Sequence, residues 1–435
     1  MLLTVHLTSS TWSLHKHLAT KQKPLPVPAI GGGFRYCGGM ALEKLKGVVS
    51  LVSNSPGLAT GYGVQAGLLV EKMKQHGLDV AVLSNYGTEG YIGKHRTKYG
   101  DVPVYPKGLK PYSDDVINLW HETHRENNLD LPHFLLTLYD VWVYKDLETE
   151  VPIVSWVPLD HITMPPLVKQ FLKRDNVTPI AMAPHGQRQL KTLGIDAPYI
   201  PHMVDTNVFK PTPKFRGLPT REFMGIPDDV FLVTAVLANK ANGVTHRKGY
   251  DSLFLAFGIH LKSHPDSHLY IHADMLPVVG GFHLGHLMQS CGVPADRVTF
   301  ANRDELRVGY TDAEMAAIYS ASDVVWMATW GEGFGVPIIE SAACGVRSIA
   351  SNWAATADLM SPDSFAVEGQ PFWDEPQKAF YQIPILADLV RALEEAYNAD
   401  RGTSSVARSF ALQFDTETVW SDYWLPFLKD YLSKA

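Results

Sequence analysis

The chain of 435 residues has few cysteines, a small net charge and no long apolar run. Its three cysteines, Cys37, Cys291 and Cys344, lie too far apart for a metal-ligand or redox motif. The net charge of −7 gives no electrostatic reason to expect a nucleic-acid partner. No apolar stretch approaches the ~20 residues that a membrane-spanning helix needs. These absences predict a globular cytoplasmic protein with at most peripheral membrane contact.

Residues 1–46 have no clear hydrophobic period and differ in composition from the rest of the chain. Lys21–Pro28 contains three prolines, and Gly31–Gly33 is a run of glycines. We predict a poorly ordered or loosely packed extension, and one hypothesis places the start of the native protein at Met40. Because no strand precedes the glycine run, we do not interpret it as a phosphate loop.

From residue 47 onward, apolar stretches of strand length alternate with stretches of helical period. The first unit contains a strand at Val48–Asn54, a glycine-rich turn, a helix at Val64–His76 and a strand at Asp79–Leu83. This is the opening of a Rossmann-like layer. The alternation continues along the chain and predicts an α/β fold with parallel sheets. Functional side chains are then expected after the carboxyl ends of strands.

The first glycine-rich turn contains Gly61 and Gly63. A dinucleotide site would require an acidic residue after the second strand to hold a ribose, and Ser84-Asn85 stands there instead. This disfavours an NAD-dependent oxidoreductase. The turn is left either to bind another anionic group or to serve only as a tight connection.

A second glycine-rich turn, Gly331–Gly335, lies between a predicted strand at Asp323–Met327 and a helix that begins near Pro337. Proline suits a first helical position because its missing N–H would be unpaired there. The free N–H groups of such a helix start attract anions, phosphate above all. Glu340 should lean back over the same opening, where a carboxylate can accept hydrogen bonds from a ribose diol.

Glu332-Gly333-Phe334-Gly335, with seven residues between Glu332 and Glu340, resembles a signature of one glycosyltransferase family. This is the large family 4, or group 1, of retaining GT-B enzymes, which are sucrose-synthase-like or mannosyltransferase-like. The resemblance implies that Glu332 contacts the donor sugar. It also implies that Gly333, Phe334 and Gly335 contact the phosphate region and that Glu340 contacts the ribose.

The same resemblance assigns cations to the donor diphosphate. Lys248 matches the family's lysine before a helix, Asn239 stands where an arginine is common, and Arg247 is placed to supply that charge. Fixed cations would stabilise the diphosphate as it gains charge in the transition state. The alternative is a pair of solvated loop cations.

On the first domain, the resemblance implies a histidine near the reacting carbon. The family often has His-Asp, whereas this chain has Asp160-His161, so the reversed order leaves open which of the two acts. Gly61 and Gly63 would lie across the cleft, near the donor phosphates. The alternative for Asp160 and His161 is a capping acid and a surface imidazole.

The implied architecture is GT-B, with two Rossmann-like domains facing across a cleft. After the extension we predict an acceptor domain at 47–205 and a nucleotide-sugar domain at 206–412. Residues 413–435 should form a terminal helix that packs back on the first domain. An aromatic stripe at helical spacing in this last segment predicts the helix itself.

We expect no metal cofactor. The chain has no Asp-x-Asp, the motif with which glycosyltransferases of the other major fold hold a divalent ion. His260, His264, His268 and His272 recur every four residues, but Pro265 interrupts the helix and the last two fall in a predicted strand. Ligands that do not converge cannot form a zinc site.

The expected reaction is sugar transfer from a nucleotide-sugar donor, with retention of configuration. The acceptor is left open among a glycan, a lipid-linked glycan, a protein and a small molecule. One alternative is a DNA-base glucosyltransferase of the same fold, which should carry a basic cleft. Another is a non-catalytic nucleotide-sugar-binding protein, which should have lost key site residues.

Overall fold

The computed structural model describes residues 43–241, 245–277 and 280–434. Most of the predicted extension, with Cys37 and Met40, lies outside these residues and stays a prediction. The described chain begins at Glu43. Leu45 is already buried, and its N–H donates to the carbonyl of His76 at 2.7 Å.

The first sheet has seven strands in the order β3-β4-β2-β1-β5-β6-β7. All neighbours pair in parallel except β3 and β4, which are antiparallel. Every residue of the central strand β1 is buried, as expected where helices cover both faces of a parallel sheet. The strands are β1 Val48–Ser53, β2 Asp79–Ser84, β3 Gly93–Thr97, β4 Gly100–Tyr105, β5 His133–Thr137, β6 Ile153–Val157 and β7 Val177–Ala181.

The second sheet has six parallel strands in the order β12-β11-β10-β13-β14-β15. A small ribbon, β8 with β9, precedes it, and a hairpin, β16 with β17, follows it. The strands are β8 Lys214–Phe215, β9 Leu218–Pro219, β10 Phe231–Ala235, β11 Ser267–Ile271, β12 Val298–Phe300, β13 Val324–Met327, β14 Arg347–Ser351, β15 Phe365–Val367, β16 Gly369–Asp374 and β17 Ala379–Pro384.

Helices connect the strands of both sheets. Their apolar faces are buried, as in the first helix, where Leu69 and Met73 are inaccessible to solvent. The helices are α1 Gly61–Gln75, α2 Ile117–Arg125, α3 Pro166–Leu172, α4 Pro184–Lys191, α5 Thr220–Met224, α6 Tyr250–His260, α7 Leu284–Ser290, α8 Arg303–Val308, α9 Asp312–Ala321, α10 Val336–Ala343, α11 Ala354–Leu359, α12 Leu386–Asn398, α13 Ser405–Ala411, α14 Thr416–Val419 and α15 Leu425–Lys434. Within the described ranges, none of them is both long and apolar enough to cross a bilayer.

The predicted strands and helices overlap observed ones, and the elements that the sequence analysis did not predict include the hairpin β16–β17. This hairpin, β16–β17, belongs to the second domain but reaches the first. The N–H of Ile162 donates to the carbonyl of Phe380 at 3.1 Å, and the N–H of Gln382 donates to the carbonyl of Trp330 at 3.0 Å. It therefore joins the loop after β6 to the loop after β13.

The C-terminal segment returns to the first sheet. α14 and α15 are joined by a wider π-helical turn at Trp420–Trp424. The rings of Trp424 and Trp156 meet edge to face, with centroids 4.9 Å apart, and those of Tyr431 and Phe134 do so at 5.0 Å. The buried aromatic stripe thus covers one face of β5 and β6, where it stabilises the return of the chain.

Candidate active site between the two sheets

A cavity of about 360 Å³ lies between the carboxyl ends of the two sheets. Both sheets contribute side chains from the loops that follow their strands, as expected for parallel α/β layers. The polar lining residues include Asp140, Asp160 and His161 from the first domain and Lys240, Thr245, Arg247, Lys248, Asp374 and Tyr381 from the second. The structure therefore brings the predicted cations together with Asp160 and His161.

Arg247, Lys248 and Glu332 form a cluster on the side of the second sheet. The Lys248 ammonium donates to Glu332 Oε1 at 2.6 Å, and Arg247 donates to Oε2 at 3.0 Å. Arg247 also donates to the carbonyl of Gly331 at 2.8 Å. The cavity lining includes both cations but not Glu332, so the observed contribution of this carboxylate is to orient them. The cluster carries a net positive charge.

The charges of this cluster are mutually dependent. Burial and the neighbouring Arg247 lower the pKa of Lys248 to about 8, an effect that Glu332 partly offsets. Burial by itself would raise the pKa of Glu332, but Arg247 and Lys248 outweigh burial and lower it. A phosphate placed beside Lys248 would further favour its protonated form.

Asp160 and His161 contact Asp374 and Tyr381 of the β16–β17 hairpin. Nδ1 of His161 lies 2.7 Å from Asp160 Oδ1, and Nε2 lies 3.4 Å from Asp374 Oδ2. The Tyr381 ring stacks on the imidazole with centroids 3.9 Å apart, and its hydroxyl donates to Asp160 Oδ2 at 2.9 Å. Thr245 donates to Asp374 Oδ1 at 2.7 Å. Contacts on both edges and on one face hold the imidazole in place.

The two carboxylates keep His161 protonated. Burial disfavours the charged imidazole, but Asp160 and Asp374 outweigh burial and raise the pKa of His161 to about 9. Burial likewise opposes ionisation of Asp160, yet His161 and Arg247 hold its pKa well below the usual range. At neutral pH the cavity wall therefore presents an imidazolium between two carboxylates.

A second contact fixes the backbone of His161. Its carbonyl lies 2.9 Å from Nε2 of His185, at the start of α4. The same helix turn is tied to the second domain, because Asp358 accepts from the N–H of His185 at 2.7 Å and from Arg188 at 2.9 Å. These bonds connect the two domains beside the cavity.

Gly61 and Gly63 lie at the start of α1 and do not line the cavity. A Cβ on Gly63 would stand 2.6 Å from the carbonyl oxygen of Leu58, so this turn requires glycine. Tyr62, between the two glycines, reaches the site and donates to Asp140 Oδ2 at 3.1 Å. Burial and the charge of Asp160 raise the pKa of Asp140.

The glycines of the second turn allow close approach between the domains. A Cβ on Gly331 would lie 2.4 Å from the carbonyl oxygen of Asp160, and one on Gly333 would lie 2.5 Å from Cβ of Pro158. Gly335 has a φ of +96° and caps α10. Phe334 is buried edge to face against His202, with centroids 4.7 Å apart. The turn thus packs against the first domain, next to the cavity instead of in its wall.

Asn239 is not brought to the cavity. Its amide nitrogen donates to the carbonyls of Asp274, Leu276 and Phe282, and its oxygen accepts from the N–H of Phe282 at 3.0 Å. Because both ends of the amide are occupied by one loop, the residue organises that loop and presents no group to a diphosphate. The neighbouring Lys240, which the sequence analysis did not select, lines the cavity instead.

Glu340 also lies outside the cavity lining. It sits on α10, and its Oε2 accepts from the hydroxyl of Tyr319 at 2.8 Å. Burial raises the pKa of Glu340 to about 7, and the Tyr319 hydrogen bond opposes this shift. A ligand that reaches Glu340 must therefore extend past the glycine turn.

Besides Lys240, the sequence analysis also missed the site residues Asp374 and Tyr381. A signal for their hairpin was present in Gln370–Asp374 and Ala379–Pro384, two aromatic-rich strand-like runs separated by a turn containing proline. Nothing in the sequence indicated that the hairpin pairs with the loop after β6, because the partners are more than two hundred residues apart.

Comparisons with known proteins show similarity in sequence and in fold. Residues 241–374 match the family model described as glycosyl transferases group 1. D-inositol 3-phosphate glycosyltransferase of Paenarthrobacter aurescens is 32% identical over 155 residues, which are 35% of this chain and 34% of that protein. The match thus spans about a third of that curated relative.

Solved structures resemble nearly the whole chain. Sucrose-phosphate synthase of Thermosynechococcus elongatus superimposes with a TM-score of 0.67 and 16% identity, covering 89% of this chain and all of that one. HepE of Anabaena in complex with UDP has a TM-score of 0.57 and 16% identity, and the match covers 90% of this chain and 100% of that one. OtsA in its apo form has a TM-score of 0.63 and 12% identity, and the match covers 88% of this chain and 99% of that one.

At these identities the solved structures show the fold, and the family match adds the sequence evidence for the second domain. Together they confirm the resemblance that the glycine turn and the two glutamates indicated. The chain has the GT-B fold of two Rossmann-like domains, and its residues 241–374 match the family model of the glycosyl transferases of group 1.

Proposed function

We propose that this protein transfers a glycosyl group from a nucleotide-sugar donor to a hydroxyl acceptor, with retention of configuration. One observation carries the proposal. Arg247 and Lys248, held by Glu332, face the same cavity as Asp160 and His161. The match to group 1 glycosyl transferases supports it, as does the likeness to HepE, a structure of which contains UDP and glucose.

The cation cluster would bind the donor diphosphate. As the bond between the sugar and the diphosphate breaks, negative charge grows on the leaving oxygen, and fixed cations stabilise that charge. Arg247 and Lys248 are already oriented by Glu332, so little reorganisation is needed when the charge develops. Lys240, on the same wall, adds a third cation for the diphosphate.

Retention of configuration can arise from a double displacement or from front-face transfer. A double displacement needs a free carboxylate nucleophile in the cavity. Both oxygens of Asp160 are in contact with His161 or Tyr381, and Asp140 accepts from Tyr62. We therefore propose front-face transfer. The acceptor oxygen bonds to the anomeric carbon on the side that the diphosphate leaves, and its proton passes to the leaving phosphate oxygen.

The acceptor would lie against the first domain. Tyr112 and Trp142 are half-buried in the cavity wall, with ring centroids 6.0 Å apart, and Asp140 stands beside them. Aromatic faces with one hydrogen-bonding carboxylate suit a carbohydrate-like ring that carries hydroxyl groups. We propose a hydroxylated small molecule or glycan as the acceptor.

The test is a donor screen with UDP-, GDP- and ADP-sugars, in which nucleoside diphosphate release and thermal shift are both measured. We expect release from at least one donor, and a transferred product that keeps the anomeric configuration by NMR. Thermal stabilisation without release from any donor would instead favour the non-catalytic binding protein. If no donor causes thermal stabilisation and none releases its nucleoside diphosphate, the proposal is contradicted.

The reaction is expected to proceed without a metal ion. Arg247, Lys248 and Lys240 supply positive charge on the wall that a diphosphate would occupy. Donor hydrolysis should therefore continue at an unchanged rate after treatment with EDTA. Complete loss of hydrolysis in EDTA, with recovery on addition of Mn²⁺, would show instead that the diphosphate needs a divalent ion.

Glu340 is expected to bind the ribose of the donor. Glu340→Ala should weaken nucleotide binding by roughly 10- to 100-fold, because hydrogen bonds to a charged group contribute about 1.5–3 kcal/mol. Calorimetry with the nucleoside diphosphate measures this change. Tyr319→Phe is the matched control, since it removes the hydrogen bond to Glu340 but keeps the carboxylate. Unchanged affinity in Glu340→Ala would refute the ribose assignment.

A further inference from the structure

A second group of chemically active side chains lies at the opposite end of the second sheet from the cavity. It consists of His260, His264 and Glu394. One potential ligand atom from each lies within 4.8 Å of the others. His260 ends α6, the helix that begins next to Lys248, and it packs beside Ser267 at the amino end of β11. An α-helix of this length places the group roughly 16 Å from the cations of the cavity.

His260 has the arrangement of a metal ligand. Its side chain is 3% exposed, and Nε2 lies 3.0 Å from the hydroxyl of Ser267, which leaves Nδ1 buried and without a hydrogen-bond partner. Metal-binding histidines commonly use one ring nitrogen to hold their orientation and the other to bind the ion. A buried nitrogen without a partner is otherwise costly.

His264 and Glu394 supply the other two atoms. The N–H of His264 donates to the carbonyl of His260 at 3.0 Å, which continues the helical turn beyond α6. The two rings are tilted against each other with centroids 4.7 Å apart. Nε2 of His264 lies 2.6 Å from Glu394 Oε2, and Asn398 donates to Oε1 of Glu394 at 2.8 Å. The His264 ring also packs on Tyr397, at 3.8 Å. Glu394 and Tyr397 both lie on α12.

From these contacts we propose a binding site for a zinc-like transition-metal ion at His260, His264 and Glu394. Two imidazoles and one carboxylate form a ligand set that Zn²⁺ accepts, with solvent in a fourth position. Bonds of about 2.1 Å at tetrahedral angles require ligand atoms roughly 3.3 Å apart. The close His264–Glu394 pair would open slightly, while His260 would approach the other two.

Besides the ligand Glu394, one acidic and one basic residue lie near the proposed site. Asp266 lies beside the site and accepts a hydrogen bond from Tyr397, while Arg401 stands 4.0 Å from Asp266. The ion would join the end of α6 to α12, two helices of the second domain. Its effect is therefore expected on the stability of that domain instead of on sugar transfer.

Sequence spacing cannot reveal this site. Glu394 is 130 residues away from His264, and the four-residue spacing groups His260 and His264 with two histidines that are not proposed as ligands. His268, for example, lies in β11 and contacts the hydroxyl of Thr299 at 2.9 Å instead. Only the packing of α6 against α12 brings the third ligand to the first two.

The experiment is a titration of the chelator-treated, dialysed protein with Zn²⁺, followed by calorimetry and thermal melting. We expect one zinc ion per chain and a melting temperature that rises until that ratio is reached. Co²⁺ as a probe should produce visible absorption bands of a coordinated ion. His264→Ala and Glu394→Gln should each abolish the saturable binding, the melting shift and the Co²⁺ bands.

His286→Ala is the matched control, because His286 and His283 form another close histidine pair, with stacked rings and centroids 3.8 Å apart, outside this site. The control should bind zinc as the wild type does. His264 and Glu394 are preferred as targets because His260 is buried. The proposal is refuted if the wild type does not bind zinc, if both ligand variants bind it unchanged, or if only the control loses binding.

Discussion

Replacing Arg247 and Lys248 together by alanine is expected to lower donor hydrolysis about 100- to 1000-fold, the usual cost of losing a fixed group that stabilises charge in a transition state. Both side chains face the cavity and share Glu332. Their attraction for the diphosphate grows as the sugar bond breaks, so turnover should fall more than donor binding. Lys248→Ala alone should have a smaller effect, because Arg247 remains beside the diphosphate. Hydrolysis is measured because it requires no acceptor.

Three controls separate catalysis from folding. The double variant leaves the buried Glu332 without its partners, which is destabilising. The melting temperature of the double variant must therefore be measured. A triple variant that also carries Glu332→Gln removes the unpaired charge. Lys98→Ala removes a cation whose side chain is 82% exposed and should leave hydrolysis unchanged. Wild-type hydrolysis by a folded double variant would show that these cations are not part of the site.

Asp374→Asn is expected to lower the pKa of His161 from about 9 by about 1–2 units. The asparagine keeps an acceptor for Thr245 but removes the negative charge near Nε2 of His161. At any given pH the ratio of imidazolium to neutral imidazole should then fall about 10- to 100-fold, tenfold for each unit by which the pKa is lowered. If the imidazolium assists the reaction, the alkaline limb of the hydrolysis profile should move to lower pH by the same amount.

Stability should follow the same titration. Because the folded-state pKa of His161 is raised from 6.5 to about 9, its contribution is fully present below about pH 6.5 and is lost as pH rises through about 9. In Asp374→Asn this loss should occur at lower pH. NMR titration of the imidazole and melting curves between pH 6 and 10 measure both effects.

Glu375→Gln provides the matched control for Asp374→Asn. It removes a carboxylate one residue further along the same hairpin, with a side chain that is 67% exposed. Solvent and salt screen a charge in that position, so the pKa of His161 should not move. An equal shift in both variants, or none in Asp374→Asn, would mean that the hairpin does not position this imidazole through charge.

The sequence was informative where the chemistry is local. The glycine turn before α10 and the cations before α6 each lie within a few residues of a strand end. Alternating periods therefore determined the α/β class, and the strand-to-helix turns determined where Glu332, Arg247 and Lys248 would lie. The reversed Asp160-His161 pair could be located in the same way, although its partners could not.

Other parts of the site depend on contacts between distant residues, which local patterns do not encode. Asn239 was predicted to bind the diphosphate, but Asp274 and Phe282 form hydrogen bonds with its amide group and hold it away from the cavity. Packing of α6 on α12 likewise creates the His260–His264–Glu394 group. In both cases the partners are distant in the sequence, and only the packing of the folded chain brings them together.

By itself, the sequence determined the layered fold, the glycine turn and the cations that follow β10, because each depends on the period or chemistry of a short segment. Only the tertiary structure decided that Asp374 and Tyr381 enclose His161, and thus that its imidazole is charged at neutral pH. The reason is physical. Burial and two carboxylates act on His161 in opposite directions, and one of those carboxylates comes from a hairpin of the other domain.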